Sequence, residues 1–99
     1  MFFHELKTII ENNHYIEKSI TLFWKAMKNY QEEEKDEFNK KFKGYDEKEL
    51  TININDVAFL AHNWPEGDRC CVVINIDISY GKKLVGYYDV HYNINGDVE

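Results

Sequence analysis

Two cysteines, a single proline and no tract approaching the length of a membrane span set the first bounds on this 99-residue chain. Cys70 and Cys71 are adjacent. On a strand such neighbours point to opposite faces, so a disulfide framework is excluded and a reducing, cytoplasmic setting is expected. Met1-Phe2-Phe3-His4-Glu5 has neither the basic start nor the apolar core of a secretory leader, and no apolar run nears about 18 residues, so neither export nor membrane insertion is expected. Positive charge is also scarce: 12 Lys and Arg stand against 18 Asp and Glu, a net charge of −6. Residues 1–49 carry nine basic and eleven acidic groups, whereas residues 50–99 carry three and seven, so the second half is the more acidic. Such a field disfavours direct contact with nucleic acid or an anionic membrane and favours a basic partner.

What is present is globular. A hydrophobic content of 43% with 15% aromatics lies far from the disordered class, and the length suits one domain spanning 1–99 with a single modest core. No repeat, low-complexity tract or linker divides it. Over residues 2–11, Phe2 or Phe3, Leu6 and Ile10 recur at helical spacing, and Asn12-Asn13 is either a break or a polar turn within a longer helix. From His14, Ile16, Ile20, Phe23, Trp24, Met27 and Tyr30 define an amphipathic helix of about four turns, which places Trp24 in the core. Gln31–Glu37 is fully polar, a solvated helical segment or a loop. Phe38, Phe42 and Tyr45 form a weaker stripe that stops near Gly44. The helical region is therefore 2–44.

The period changes from residue 49 onward. Leu50, Ile52 and Ile54 alternate with Thr51, Asn53 and Asn55, as in a strand with one buried face. Asp56–His62 either continues that strand after a bulge or forms another. Asn63–Asp68 is a turn-rich loop. Two long alternating runs then flank Gly81-Lys82-Lys83. In the first, Val72, Ile74, Ile76, Ile78 and Tyr80 share a face opposite Val73, Asn75, Asp77 and Ser79. In the second, Leu84, Gly86, Tyr88, Val90, Tyr92 and Ile94 oppose Val85, Tyr87, Asp89, His91 and Asn93. Asn95-Gly96 is a tight-hairpin dipeptide followed only by Asp97, Val98 and Glu99, which predicts a further strand, either cut short or supplied by another chain. Helices first and an antiparallel meander (49–99) second define an α+β fold with the helices on one face of the sheet.

No reaction chemistry stands out. Zinc needs ligands that converge, and Cys70 with Cys71 diverge on a strand; His62 and His91 do not repair the spacing, so no metal site and no cofactor are expected. Cys71, Asp89 and His91 lie near enough in the pattern for a nucleophile–base arrangement, but no elbow, Gly-rich loop or phosphate cradle accompanies them, and the chain reads as a non-enzyme. Asp77 and Asp89 share the polar face if the hairpin closes at Gly81, either as paired carboxylates or as groups facing water. Trp64 in Trp64-Pro65-Glu66-Gly67-Asp68 is either an interface anchor or a lid folded on the core. Glu32–Glu34, Asp36 and Glu37 form a solvated face partly neutralised by Asp36–Lys40 and Glu37–Lys41 pairs.

Val85-Gly86-Tyr87-Tyr88-Asp89-Val90-His91-Tyr92-Asn93-Ile94-Asn95-Gly96-Asp97-Val98-Glu99 resembles the late hairpin of small immunity proteins from bacterial polymorphic-toxin and contact-dependent inhibition systems. These acidic α+β proteins carry a Gly-Tyr-Tyr strand running into an Asn-Gly or Asp-Gly turn. The resemblance implies a cytoplasmic antitoxin that occludes a toxin domain, often a nuclease. The residue pattern supplies candidate partner contacts: Trp64 and Tyr87 as anchors, Glu66, Asp68, Asp77 and Asp89 as carboxylates for Lys or Arg, and His91 beside them. Two other classes fit the pattern. One is an α+β cone enclosing a small ligand, with Tyr88, Tyr92, Asp89 or His91 lining its pocket; the other is a phage-encoded inhibitor that mimics nucleic-acid charge.

Overall fold

The computed structural model describes residues 2–67, 69–93 and 95–98. Three helices precede a three-stranded antiparallel sheet, which is the α+β order expected: α1 (Phe2–Asn12), α2 (Tyr15–Glu33), α3 (Lys35–Lys41), a 3₁₀ turn (Glu47–Glu49), then β1 (Leu50–His62), β2 (Arg69–Tyr80) and β3 (Lys83–Asn93). No helix among the described residues is long and apolar enough to cross a membrane.

The break between α1 and α2 falls at His14, whose backbone is left-handed (φ 55°). Its ring meets the Glu17 carboxylate at 2.9 Å across the first turn of α2. The buried stripe of α2 is Tyr15, Ser19 and Phe23, a strict four-residue spacing. That stripe lies one residue from the Ile16–Ile20 stripe expected, because Tyr15 and Ser19 read as polar yet satisfy each other's surroundings. Ser19 Oγ donates to the Tyr15 carbonyl at 2.7 Å, and the Tyr92 hydroxyl reaches Ser19 Oγ at 2.8 Å. The Tyr92 hydroxyl also lies 3.3 Å from the Tyr15 carbonyl, so the two hydroxyls and that carbonyl form one closed network in which each hydroxyl has a partner for its single proton. Burial raises the pKa of Tyr92 and of Tyr15; the Asp97 carboxylate adds to the shift at Tyr15.

α2 ends at Glu33, and Glu34, non-helical at φ −122°, redirects the chain into α3. Phe38 on α3 centres an aromatic cluster, with ring centroids of Tyr30, Phe42 and Tyr45 at 5.5, 5.0 and 5.0 Å. Tyr80 closes the cluster against Phe42 and Tyr45. Edge-on and tilted ring pairs of this kind add to simple area burial. Trp24 is only partly buried and packs on the core from its rim against Phe23.

β2 is the central strand. Its inward side chains Val72, Ile74 and Ile76 are at most 1% exposed, joined by Val90 and Tyr92 of β3. Tyr80 pairs with Lys83, leaving Gly81 and Lys82 as a two-residue turn. Both have positive φ (57° and 66°), the condition for a type I′ hairpin whose twist matches the strands. A register shift follows between Ile78 and Ser79, which pair with Gly86 and Leu84. The extra residue, Val85, therefore packs with the core while Leu84 is 49% exposed, reversing the sides expected for these two.

β1 also carries a shift: Ile54 pairs with Ile76 and Asp56 with Asn75, so Asn55 is the extra residue, and Asp56–His62 continues the same strand to the end of the sheet. The chain then turns at Asn93–Asp97 and returns only far enough for one bridge, Val98 to Tyr92. This is the whole of the further strand among the described residues. The molecule measures 48 × 25 × 20 Å with a radius of gyration of 16.0 Å. A compact chain of this size has about 13 Å. The excess reflects an elongated shape, with one axis about twice as long as either of the others.

Candidate functional site

With all helices on one side, the other face of the sheet is open. The register arranges it as cross-strand rows: Thr51–Ser79–Leu84, then Asn53–Asp77–Tyr87, Asp56–Asn75–Asp89, Ala58–Val73–His91, Leu60–Cys71–Asn93, and His62–Arg69 at the tip. Residues directly opposite on one face are the interacting unit of a sheet. The alternation read from sequence thus brings Asp77, Tyr87, Asp89 and His91 onto one surface, with Asp77 beside Tyr87 and Asp89 in the next row.

The central row is hydrogen-bonded across all three strands. Asn55 Nδ2 donates to Asn75 Oδ1 at 3.1 Å and to Asp56 Oδ2 at 3.2 Å. Asn75 Nδ2 in turn donates to Asp89 Oδ1. Each amide spends its donors on a neighbouring acceptor, so the carboxylates of Asp56 and Asp89 are held in place and not left to swing. Asp77 differs. Its Oδ1 is shielded from water and has no hydrogen-bond partner, a cost to the free domain. Tyr87, 62% exposed, lies alongside it. In the five rows from Thr51 to Asn93 there are three aspartates and no lysine or arginine. Arg69 stands apart, eight residues from Asp77 along β2, or about 27 Å.

Trp64 and Glu66 sit in the β1–β2 turn beyond the tip, and Trp64 is 82% exposed. Trp64 is therefore not a lid on the core. Neither residue is contiguous with the Asp77–Asp89 rows, so the seven candidate contacts divide into a sheet group and a tip group. Asp68 lies outside the described residues.

The cysteines behave as their positions require. Cys70 Sγ donates to the Gly67 carbonyl on one face; Cys71 lies on the face without helices and is nonetheless buried there, 1% exposed. The histidine beside Cys71 is His62, Nε2 to Sγ 3.6 Å, not His91, while Asp89 is engaged by Asn75. The trio of Cys71, Asp89 and His91 is therefore not assembled. No cluster of three His, Cys, Asp or Glu side chains able to hold a metal occurs among the described residues. On the helix side, Phe23, Met27, Tyr30, Phe42, Ile78 and Tyr88 line much of an apolar groove of about 240 Å³. Sequence reasoning did not find this groove, because it depends on where α2 and α3 diverge over β3.

No protein-family model, curated protein or solved structure matches the chain.

Proposed function

We propose that this chain is an immunity protein: a cytoplasmic, non-catalytic binder that neutralises a toxin by covering its basic active surface with the open sheet face. The observation that carries this reading is the set of rows Asn53–Asp77–Tyr87 and Asp56–Asn75–Asp89, three carboxylates with an exposed aromatic ring and no cation among them. A nuclease must present Lys and Arg to hold phosphates, so it is the toxin class this face fits best. Opposite fields accelerate encounter, and an anchor such as Tyr87 lengthens the lifetime of the complex. The antiparallel sheet is stiff and its central carboxylates are tied by Asn55 and Asn75, so little ordering cost remains on binding. Trp64 and Glu66 at the tip extend the footprint to a second, separate contact.

The test is co-expression with the product of the adjacent gene. The reading expects rescue of growth and a stoichiometric complex on purification; absence of both removes it. A phage-encoded mimic of nucleic-acid charge would present the same surface, and phage structural genes as neighbours would favour it over an antitoxin. The small-ligand reading rests on the groove under α2 and α3. That groove, about 240 Å³, is lined almost wholly by apolar side chains and brings none of Asp89, His91 or Tyr92 to its wall, which ranks this reading second.

A further inference from the structure

We propose that two copies of this chain join through the free edge of β1, pairing residues 56–62 with the same residues of the second copy about a two-fold axis at Phe59. β1 is thirteen residues long and, among the described residues, only β2 pairs with it. Exposed edges are normally blunted by charge, Pro or a bulge; β1 has its bulge and its one carboxylate at Asn55-Asp56, and residues 57–61 carry none of these. Val57-Ala58-Phe59-Leu60-Ala61 is apolar on both faces of the sheet, and Val57, Phe59 and Leu60 are 42, 39 and 42% exposed. A strand apolar on both sides is the pattern of an interior strand, here left at an edge.

The register follows from the geometry. In an antiparallel pair, opposed residues point to the same face, and a two-fold axis normal to the sheet maps each residue onto one of equal parity. The axis must therefore pass through a residue. Regular pairing in β1 is bounded by the bulge at Asn55 and by the turn that begins at Asn63, where φ is 58°. The midpoint of the 56–62 segment is Phe59. Centred there, Phe59 meets Phe59 and Val57 meets Ala61 on the helix side, while Ala58 meets Leu60 on the open side. The last pair on each end sets Asp56 against the partner's His62, both on the open face. His62 Nε2 is taken up by Cys71 Sγ at 3.6 Å, which leaves Nδ1 for that carboxylate. An axis at Ala58 would set Asp56 against Leu60, and one at Leu60 would set it against Trp64 in the turn. Only the Phe59 register matches apolar with apolar and acid with histidine.

The groove that α1 leaves beside β1 adds to the seam. It is about 230 Å³, lined by Phe3, Leu6, Lys7, Ile10, Val57 and Phe59, and Phe3 is 72% exposed. Two-fold pairing brings both grooves to the axis and joins the sheets into six strands, with both acidic faces on one side and uncovered. This assembly is independent of the immunity reading.

Sedimentation equilibrium of the full chain tests it. The native chain is expected to be a dimer at micromolar concentration. Leu60→Lys puts an edge lysine where its head reaches water and is expected to weaken association by about tenfold or more, with the far-UV circular dichroism of the folded chain retained. Asp56→His and His62→Asp each set like groups opposite one another and are expected to weaken the dimer by roughly fivefold; the double swap restores it. A native monomer, a Leu60→Lys variant that stays dimeric, or a swap that fails to restore would each overturn the pairing.

Discussion

The two faces of β2 and β3 are built from alternate residues of the same strands, yet they are held to different standards. On the helix side Ile74, Ile76 and Tyr92 have no exposed surface, and even the one buried hydroxyl chain, Tyr92 to Ser19 to Tyr15, is fully partnered. On the open side Asp77 keeps an unpartnered oxygen and Tyr87 presents most of its ring to water. The lesson is a division of labour by parity. One face is optimised for packing, and the other retains groups that lower stability, the groups on which the proposed function rests.

Substitutions should separate the faces. Ile74→Asp places an unpaired charge at a fully buried position of the central strand. It is expected to cost more than about 4 kcal/mol and to unfold the domain, read as loss of the cooperative thermal transition. A folded variant would mean the inward face has been assigned wrongly.

The next effect is on pH dependence. Tyr15 and Tyr92 have pKa values raised above 10.0, chiefly by burial. The folded state therefore holds these protons more tightly than the unfolded chain. Their contribution to stability is complete below about pH 10 and is lost as pH rises through the folded values. Denaturant titrations at rising alkaline pH should show this fall, and Tyr92→Phe should flatten it. At neutral pH the same variant loses the bond to Ser19, a cost of about 1 kcal/mol, seen as a thermal midpoint lower by roughly 4–8 °C.

On the open face the sign should reverse. Asp77→Val removes an unsatisfied carboxylate oxygen from a central strand and supplies a β-branched side chain. It is expected to raise the thermal midpoint by a few degrees while weakening partner binding. Destabilisation would contradict the reading of Asp77 as a residue kept at the expense of stability.

The parts of the fold that follow a period were legible in the sequence. Alternation through Val72–Tyr80 assigned both faces of β2, and Asp77, Tyr87, Asp89 and His91 were correctly placed on one surface. Bulges were not legible in detail. One extra residue reverses every following side chain, so Leu84 and Val85 exchanged sides and the position of the Asn55 shift had to come from the pairing. Hydrogen-bonded polar residues in the core were missed for a related reason: Tyr15 and Ser19 become buried only because Tyr92, 73 residues from Ser19, arrives to complete the network. The contact of Cys71 with His62 instead of His91 is likewise a matter of which strand ends meet. Trp64 offered two readings, and its 82% exposure decides for the one that leaves it outside the core.

The most direct measurement is the association rate of the captured partner with native chain and with the Asp77→Lys/Asp89→Lys variant, at low and high salt. The account predicts a rate about tenfold or more slower for the variant at low salt, a gap that closes as salt is added, and a thermal midpoint close to native. Equal rates at low salt would contradict it.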